Sequence, residues 1–108
     1  MSSLGGFVVQ HSYRVDKGDF ETLRELLGEI REHAEDLGLS GFEVWLDDDE
    51  TGLISELHGY DSWSHWRRLS EKESPPWMRN VYERLDAIIE GGLGAVQTRS
   101  WQAFQLPI

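Results

Sequence analysis

The segment FVVQHSYRV, Phe7 to Val15, carries two side chains suited to acid–base chemistry. His11 and Tyr13 are two residues apart, so on an extended chain they share one face. An imidazole titrates near neutrality and can take a proton from a phenol or quinol. A tyrosine hydroxyl beside it can orient a substrate oxygen. The alternative for each is a core role, with its polar atoms satisfied by internal hydrogen bonds. Five tryptophans in the chain add large apolar faces. Trp66, Trp77 and Trp101 can line a slot for a flat ligand, the alternative being the core packing usual for aromatic stripes at helical spacing.

Glu56 and His58 are the second polar pair, again two apart on one strand face. With His11 and His65 they offer carboxylate and imidazole ligands of the kind zinc or iron takes. No H-E-x-x-H or comparable spacing is present. The expectation is therefore no metal and no cofactor, with Glu56 holding its corner by a hydrogen bond or ion pair. The run Asp47-x-Asp49-x-Thr51-Gly52 imitates the opening of a calcium loop, but its twelfth position is His58 instead of a bidentate Glu. A strand follows Gly52 at once, so the run reads as a hairpin turn. There is no P-loop, G-x-G-x-x-G or G-x-S-x-G.

The elements that must position these residues follow from periodicity. Phe7, Val9, His11, Tyr13 and Val15 form the apolar face of a first strand, expected to pack on helices. Asp16 or Asp19 can cap a helix whose stripe is Phe20, Leu23, Leu27, Ile30, Ala34 and Leu37, with Gly38 as its C′ glycine. FEVWL and LISELHGY pair as a hairpin across DDDETG. Ile54–Tyr60 then runs into Asp61 and Ser62, with Ser62 as N-cap of a short helix bearing Trp63, Trp66 and Leu69. Ser74 and Pro75 start a further helix with Trp77, Val81, Leu85 and Ile88 as its stripe and Met78, Tyr82 and Ile89 beside it. Gly91 and Gly92 end that helix, and Val96 to Phe104 is the last strand. The order β-α-β-β-α-β, with the second helical region split in two, is the ferredoxin-like α+β arrangement. It places one four-stranded antiparallel sheet under helices on one face only.

Composition narrows the partners. At 108 residues the chain suits a single domain spanning 1–108. Twenty acidic residues against ten basic ones give a formal charge of −10, which repels phosphate backbones and argues against nucleic acid. Cysteine is absent, so disulfides and thiolate sites are excluded. The start MSSLGGFVVQ lacks a basic region and a long apolar run, and no stretch approaches the ~20 apolar residues that span a bilayer. A soluble, cytoplasmic protein is expected.

The element order, the corner Glu56-x-x-x-Tyr60-Asp61-Ser62 and the restart Ser74-Pro75-x-Trp77 together resemble the antibiotic biosynthesis monooxygenase superfamily, the dimeric α+β barrels. The resemblance runs from about Phe7 to Phe104. It implies a homodimer formed through the open sheet faces, each subunit keeping a pocket for a small aromatic or apolar ligand between sheet and helices. It also implies cofactor-independent oxygenation of quinols or polycyclic aromatics, with His11 as base, Tyr13 as orienting group and Trp66, Leu69, Trp77 and Trp101 against the substrate. Haem-degrading relatives use an Asn, a Trp and a His where this chain has His11, Leu69 and about Val81, so haem is not expected. Many other members carry a His at the position of Leu69. The competing expectations are a non-catalytic ligand-binding or dimerisation module, and a metal-dependent enzyme.

Overall fold

A computed structural model of the chain describes residues 4–49 and 51–107; Glu50 of the expected turn lies outside them. Seven regular elements follow in order: β1 (Phe7–Arg14), α1 (Phe20–Glu32), β2 (Gly41–Leu46), β3 (Leu53–Tyr60), α2 (Trp63–Ser70), α3 (Pro76–Ile88) and β4 (Gln97–Gln102). The strands form one antiparallel sheet in the order β2-β3-β1-β4. This is the ferredoxin-like arrangement, with α2 and α3 as the divided second helical region.

The alternation of β1 decides which face is roofed. Phe7, Val9 and Tyr13 are buried, and Val15 just beyond the strand bridges to Ile89. Tyr13, Val15 and Ile54 from the strand side meet Leu23, Leu26, Leu27 and Ile30 of α1 and Met78, Val81 and Leu85 of α3 in one cluster. Leu26 and Val81 are wholly buried. The other sheet face has no helix over it; there Trp45 and Trp101 are 61% and 50% exposed.

The strand–cap–helix corner forms as its sequence dictates. Ser62 is extended, and its hydroxyl accepts from the His65 backbone N–H at 3.1 Å. That bond satisfies one of the four donors a helix leaves open at its start. Ser62→Ala should lower stability by about 1 kcal/mol, read as a shift of the urea midpoint at unchanged slope.

Several boundaries differ from the sequence expectation. α1 ends at Glu32, so Ala34 and Leu37 lie beyond it in a run of turns. Gly38 still closes a helical end, that of the turns following α1. With φ of +79° it allows Leu39 N–H to reach Ala34 O (2.9 Å) and Gly38 N–H to reach Glu35 O (3.0 Å), the paired bonds of a Schellman motif. Neither Asp16 nor Asp19 caps through its side chain; Lys17–Asp19 forms a 3-10 turn leading into α1. α3 begins one residue later than expected, with Pro75 rather than Ser74 at the N-cap and Pro76 in the first turn. Its buried side chains are Met78, Val81 and Leu85, while Trp77 and Ile88 are only partly covered. β4 is shorter than Val96–Phe104: Val96 closes the 3-10 turn Leu93–Ala95, and regular pairing ends at Gln102.

Candidate functional site

The pairing register brings the polar residues together. His11 on β1 lies opposite Glu56 on β3, and Tyr13 lies opposite Ile54. Side chains on one sheet face reach diagonal neighbours as well as direct ones. Tyr13, His11, Glu56 and His58 therefore converge on the roofed face. Glu56 is the buried acid of this cluster, 5% exposed. Its Oε2 accepts from the Tyr13 hydroxyl, and its Oε1 lies 3.0 Å from His58 Nε2. A buried carboxylate is tolerable only when its oxygens are matched in this way.

His11 sits edge-on to His58, with ring centroids 5.0 Å apart, and its Nδ1 is 3.1 Å from Thr98 Oγ1 on β4. Phe42 meets the other side of the His58 ring at 5.1 Å. His11, Tyr13, Glu56, His58 and Thr98 line a cavity of about 340 Å³, closed on the apolar side by Leu85, Ile89, Leu93 and Val96 and bordered by Tyr82 of α3. That volume falls within the range of small-molecule sites, roughly 300–1,000 Å³.

The environments of the titratable groups differ. Burial, reinforced by the charge of His58 and partly offset by Glu56, holds the His11 pKa below the usual 6.5. Burial, then the charge of Glu56 and the hydrogen bond to it, pushes the Tyr13 hydroxyl far above the ordinary phenol range. Burial and then Glu56 raise Tyr82 in the same direction. Tyr60, close by, is pushed up to about 12 by burial and by Tyr82. At neutral pH His11 is thus a neutral acceptor and the tyrosines are donors.

The other expected site residues lie elsewhere. Trp66, Leu69 and Trp77 line a second cavity of about 380 Å³ under α2 and the start of α3. Trp66 packs on Phe7 at 5.4 Å, and Trp77 stacks on His33 at 4.4 Å. Leu69 abuts Gly38, where a Cβ would come within 2.6 Å of Leu69 Cδ1. The two cavities share His58 and Tyr82. The wall beside His11 is therefore aliphatic, not the expected wall of tryptophans. Trp101 needs the largest correction. It pairs opposite Val8, whose side of β1 is the open one, and its Nε1–H donates to Gln10 Oε1 at 2.9 Å. It cannot reach the His11 cavity.

Glu56 and His58 are the residues whose role the sequence left open. Their spacing placed them on one face, but only the register with Tyr13 shows which face. Among the described residues no group of three or more His, Cys, Asp or Glu is placed to hold a metal ion. His65 stays outside the cluster, 3.8 Å from Asp61. The calcium-like run is a turn closed internally, with Asp47 accepting from the Asp49 backbone and the Thr51 hydroxyl. Among the described residues no helix is long and apolar enough to cross a membrane.

The lock between Tyr13 and Glu56 has a measurable weight. Tyr13→Phe would leave the buried carboxylate short of one donor and should destabilise the protein by about 2 kcal/mol, measured by urea unfolding. A loss under about 0.5 kcal/mol, the low end for a hydrogen bond, would show that Glu56 does not depend on that hydroxyl.

No protein-family model matches the chain, and no curated protein matches it. Solved structures do. A candidate antibiotic biosynthesis monooxygenase from Caulobacter crescentus CB15 superposes with a TM-score of 0.72 at 11% identity, over 95% of this chain and 93% of that one. SnoaB, a cofactor-independent oxygenase from Streptomyces nogalater, gives 0.69 at 11% identity, over 93% and 94%. Rv0793 from Mycobacterium tuberculosis gives 0.68 at 13% identity, over 94% and 98%. With its sheet order and its split second helical region, the chain has the ferredoxin-like α+β fold that these solved structures share.

Proposed function

We propose that the chain binds a small, flat, mostly apolar molecule bearing an acidic hydroxyl or activated C–H, and oxygenates it without a cofactor. The observation that carries this reading is the 340 Å³ cavity with His11, Tyr13, Glu56 and His58 on one side and aliphatic side chains on the other. His11, kept neutral by burial, accepts the substrate proton. In the tautomer whose Nδ1–H donates to Thr98, its Nε2 is the acceptor. The resulting electron-rich anion reacts with O2 directly. Tyr13 acts through Glu56 because its proton is committed there. The kinship in fold with SnoaB, named a cofactor-independent oxygenase, supports the same reading.

Oxygen consumption by the purified protein with a panel of quinols and anthrone-like probes tests it. Uptake above the uncatalysed rate is expected. A second reading, a ligand-binding module without turnover, draws on the exposure of Thr98, Leu93 and Tyr82, which leaves the cavity open to water at its rim. Binding with no oxygen uptake would establish that second reading.

The functional unit in this proposal is a cytoplasmic homodimer, one domain per chain, paired through the bare sheet faces. Trp45 and Trp101 stand exposed there, and the guanidinium of Arg99 lies 5.6 Å from the Trp101 ring centroid. Large exposed aromatic side chains of this kind suit a partner surface. Trp101→Glu should convert the dimer to monomer in light scattering; a mass unchanged by the substitution, or a monomeric parent protein, would remove that interface.

A further inference from the structure

His11 and His58 face one cavity from neighbouring strands, yet their surroundings differ in kind. His11 Nδ1 meets the neutral hydroxyl of Thr98. His58 Nε2 meets the buried carboxylate of Glu56, which is itself fixed by Tyr13. A carboxylate on one imidazole nitrogen sets the tautomer, leaves the other nitrogen as acceptor and stabilises the imidazolium when that nitrogen takes a proton. His58 also borders both cavities.

We propose that His58 is a second base of the site, positioned by Glu56, and that it acts on the intermediate formed after O2 has added. This inference rests on the oxygenase reading above, for a substrate whose reacting carbon bears two hydrogens. His11 removes the first as a proton, and the carbon's electron pair bonds to O2. The peroxide anion takes the proton back from His11 and becomes a hydroperoxide. His58 Nδ1 then removes the second hydrogen as a proton. The electrons of that C–H bond form the second C–O bond, the O–O bond breaks, and the departing hydroxide takes the proton from His58 to leave as water. The carbon loses four electrons and O2 gains them, one oxygen ending in the ketone and one in water. His58 is the catalytic residue of the second half, and Glu56 is its positioning residue.

The test follows O2 consumption, hydroperoxide and ketone together in the purified chain with an anthrone-type methylene probe. The parent protein should form one ketone per O2 with no peroxide accumulating. In His58→Gln and His58→Asn, oxygen uptake should outrun ketone formation, hydroperoxide should build up, and ketone formation should slow by about 100-fold or more. Glu56→Gln should slow ketone formation more than oxygen uptake, and Glu56→Asp should restore part of that rate. A merely structural role would lower both steps alike. Ketone formation that keeps pace with oxygen uptake in both His58 variants overturns the inference and leaves the oxygenase reading standing. Absence of oxygen uptake in the parent protein overturns both.

Discussion

His11→Ala should cut turnover of a quinol or anthrone-like substrate by about 100- to 10,000-fold, the usual worth of a positioned general base. The fold should survive, because His11 is only partly buried and its side chain bonds to the exposed Thr98. The parent protein should carry a linked signature. Burial lowers the His11 pKa from 6.5, so a more acid solution is needed to protonate it. The acid limb of kcat/KM should therefore fall below pH 6.5, with activity constant above it until another group titrates. Steady-state oxygen uptake across pH, for parent and variant, reads both effects. Turnover that survives in His11→Ala, or an acid limb above the ordinary imidazole range, would move the base elsewhere.

Gly59→Ala should destabilise the protein by roughly 3 kcal/mol, at the upper end for forcing extra volume into a packed site. Gly59 is buried on β3, between Val8 and Gly41 in the pairing register. A Cβ there would stand 1.8 Å from the Leu4 carbonyl oxygen and 2.6 Å from its carbon. The obstacle is backbone, so no rotamer change relieves it. That carbonyl is also held by the Ser40 hydroxyl at 2.8 Å, while the Ser40 N–H donates to Gly59 O at 2.8 Å. The segment before β1 would have to lift and give up the Ser40 hydroxyl bond to the Leu4 carbonyl. Urea unfolding measures the loss, and a change under about 1 kcal/mol, the low end for overpacking, would mean that this segment does not cross the sheet at Gly59.

The sheet and its roofed face were legible because β1 alternates cleanly. One set of residues is Phe, Val, His, Tyr and Val; the other is Val, Gln, Ser and Arg. The Ser62 corner was legible for a similar reason, since a hydroxyl three residues before a free N–H makes a local bond that needs no distant partner. The end of α1 was not. Ala34 and Leu37 keep the apolar spacing of a helix, and Gly38 closes a Schellman motif that spacing alone does not separate from a continuing helix.

The site was half legible, for a reason rooted in β3. Its alternate residues are Leu53, Ser55, Leu57 and Gly59 on one side and Ile54, Glu56, His58 and Tyr60 on the other. Both sets mix apolar with polar groups, and a glutamate is seldom the residue to bury. Glu56 is acceptable inside only because the register sets Tyr13 within reach from the next strand. Trp101 failed in the same way. β4 is exposed along its whole length, so its sequence holds no preference of face, and pairing with Val8 alone sends that indole to the open side.

The most direct test of the ligand chamber uses the four histidines as reporters of position. Nitrogen-15 imidazole signals are followed by NMR while a hydroxylated anthraquinone, a stable product mimic, is added. His11 and His58 are expected to shift together and saturably, while His33 and His65 stay still. Shifts confined to His33 or His65, or none at saturating mimic, would contradict a chamber beside His11.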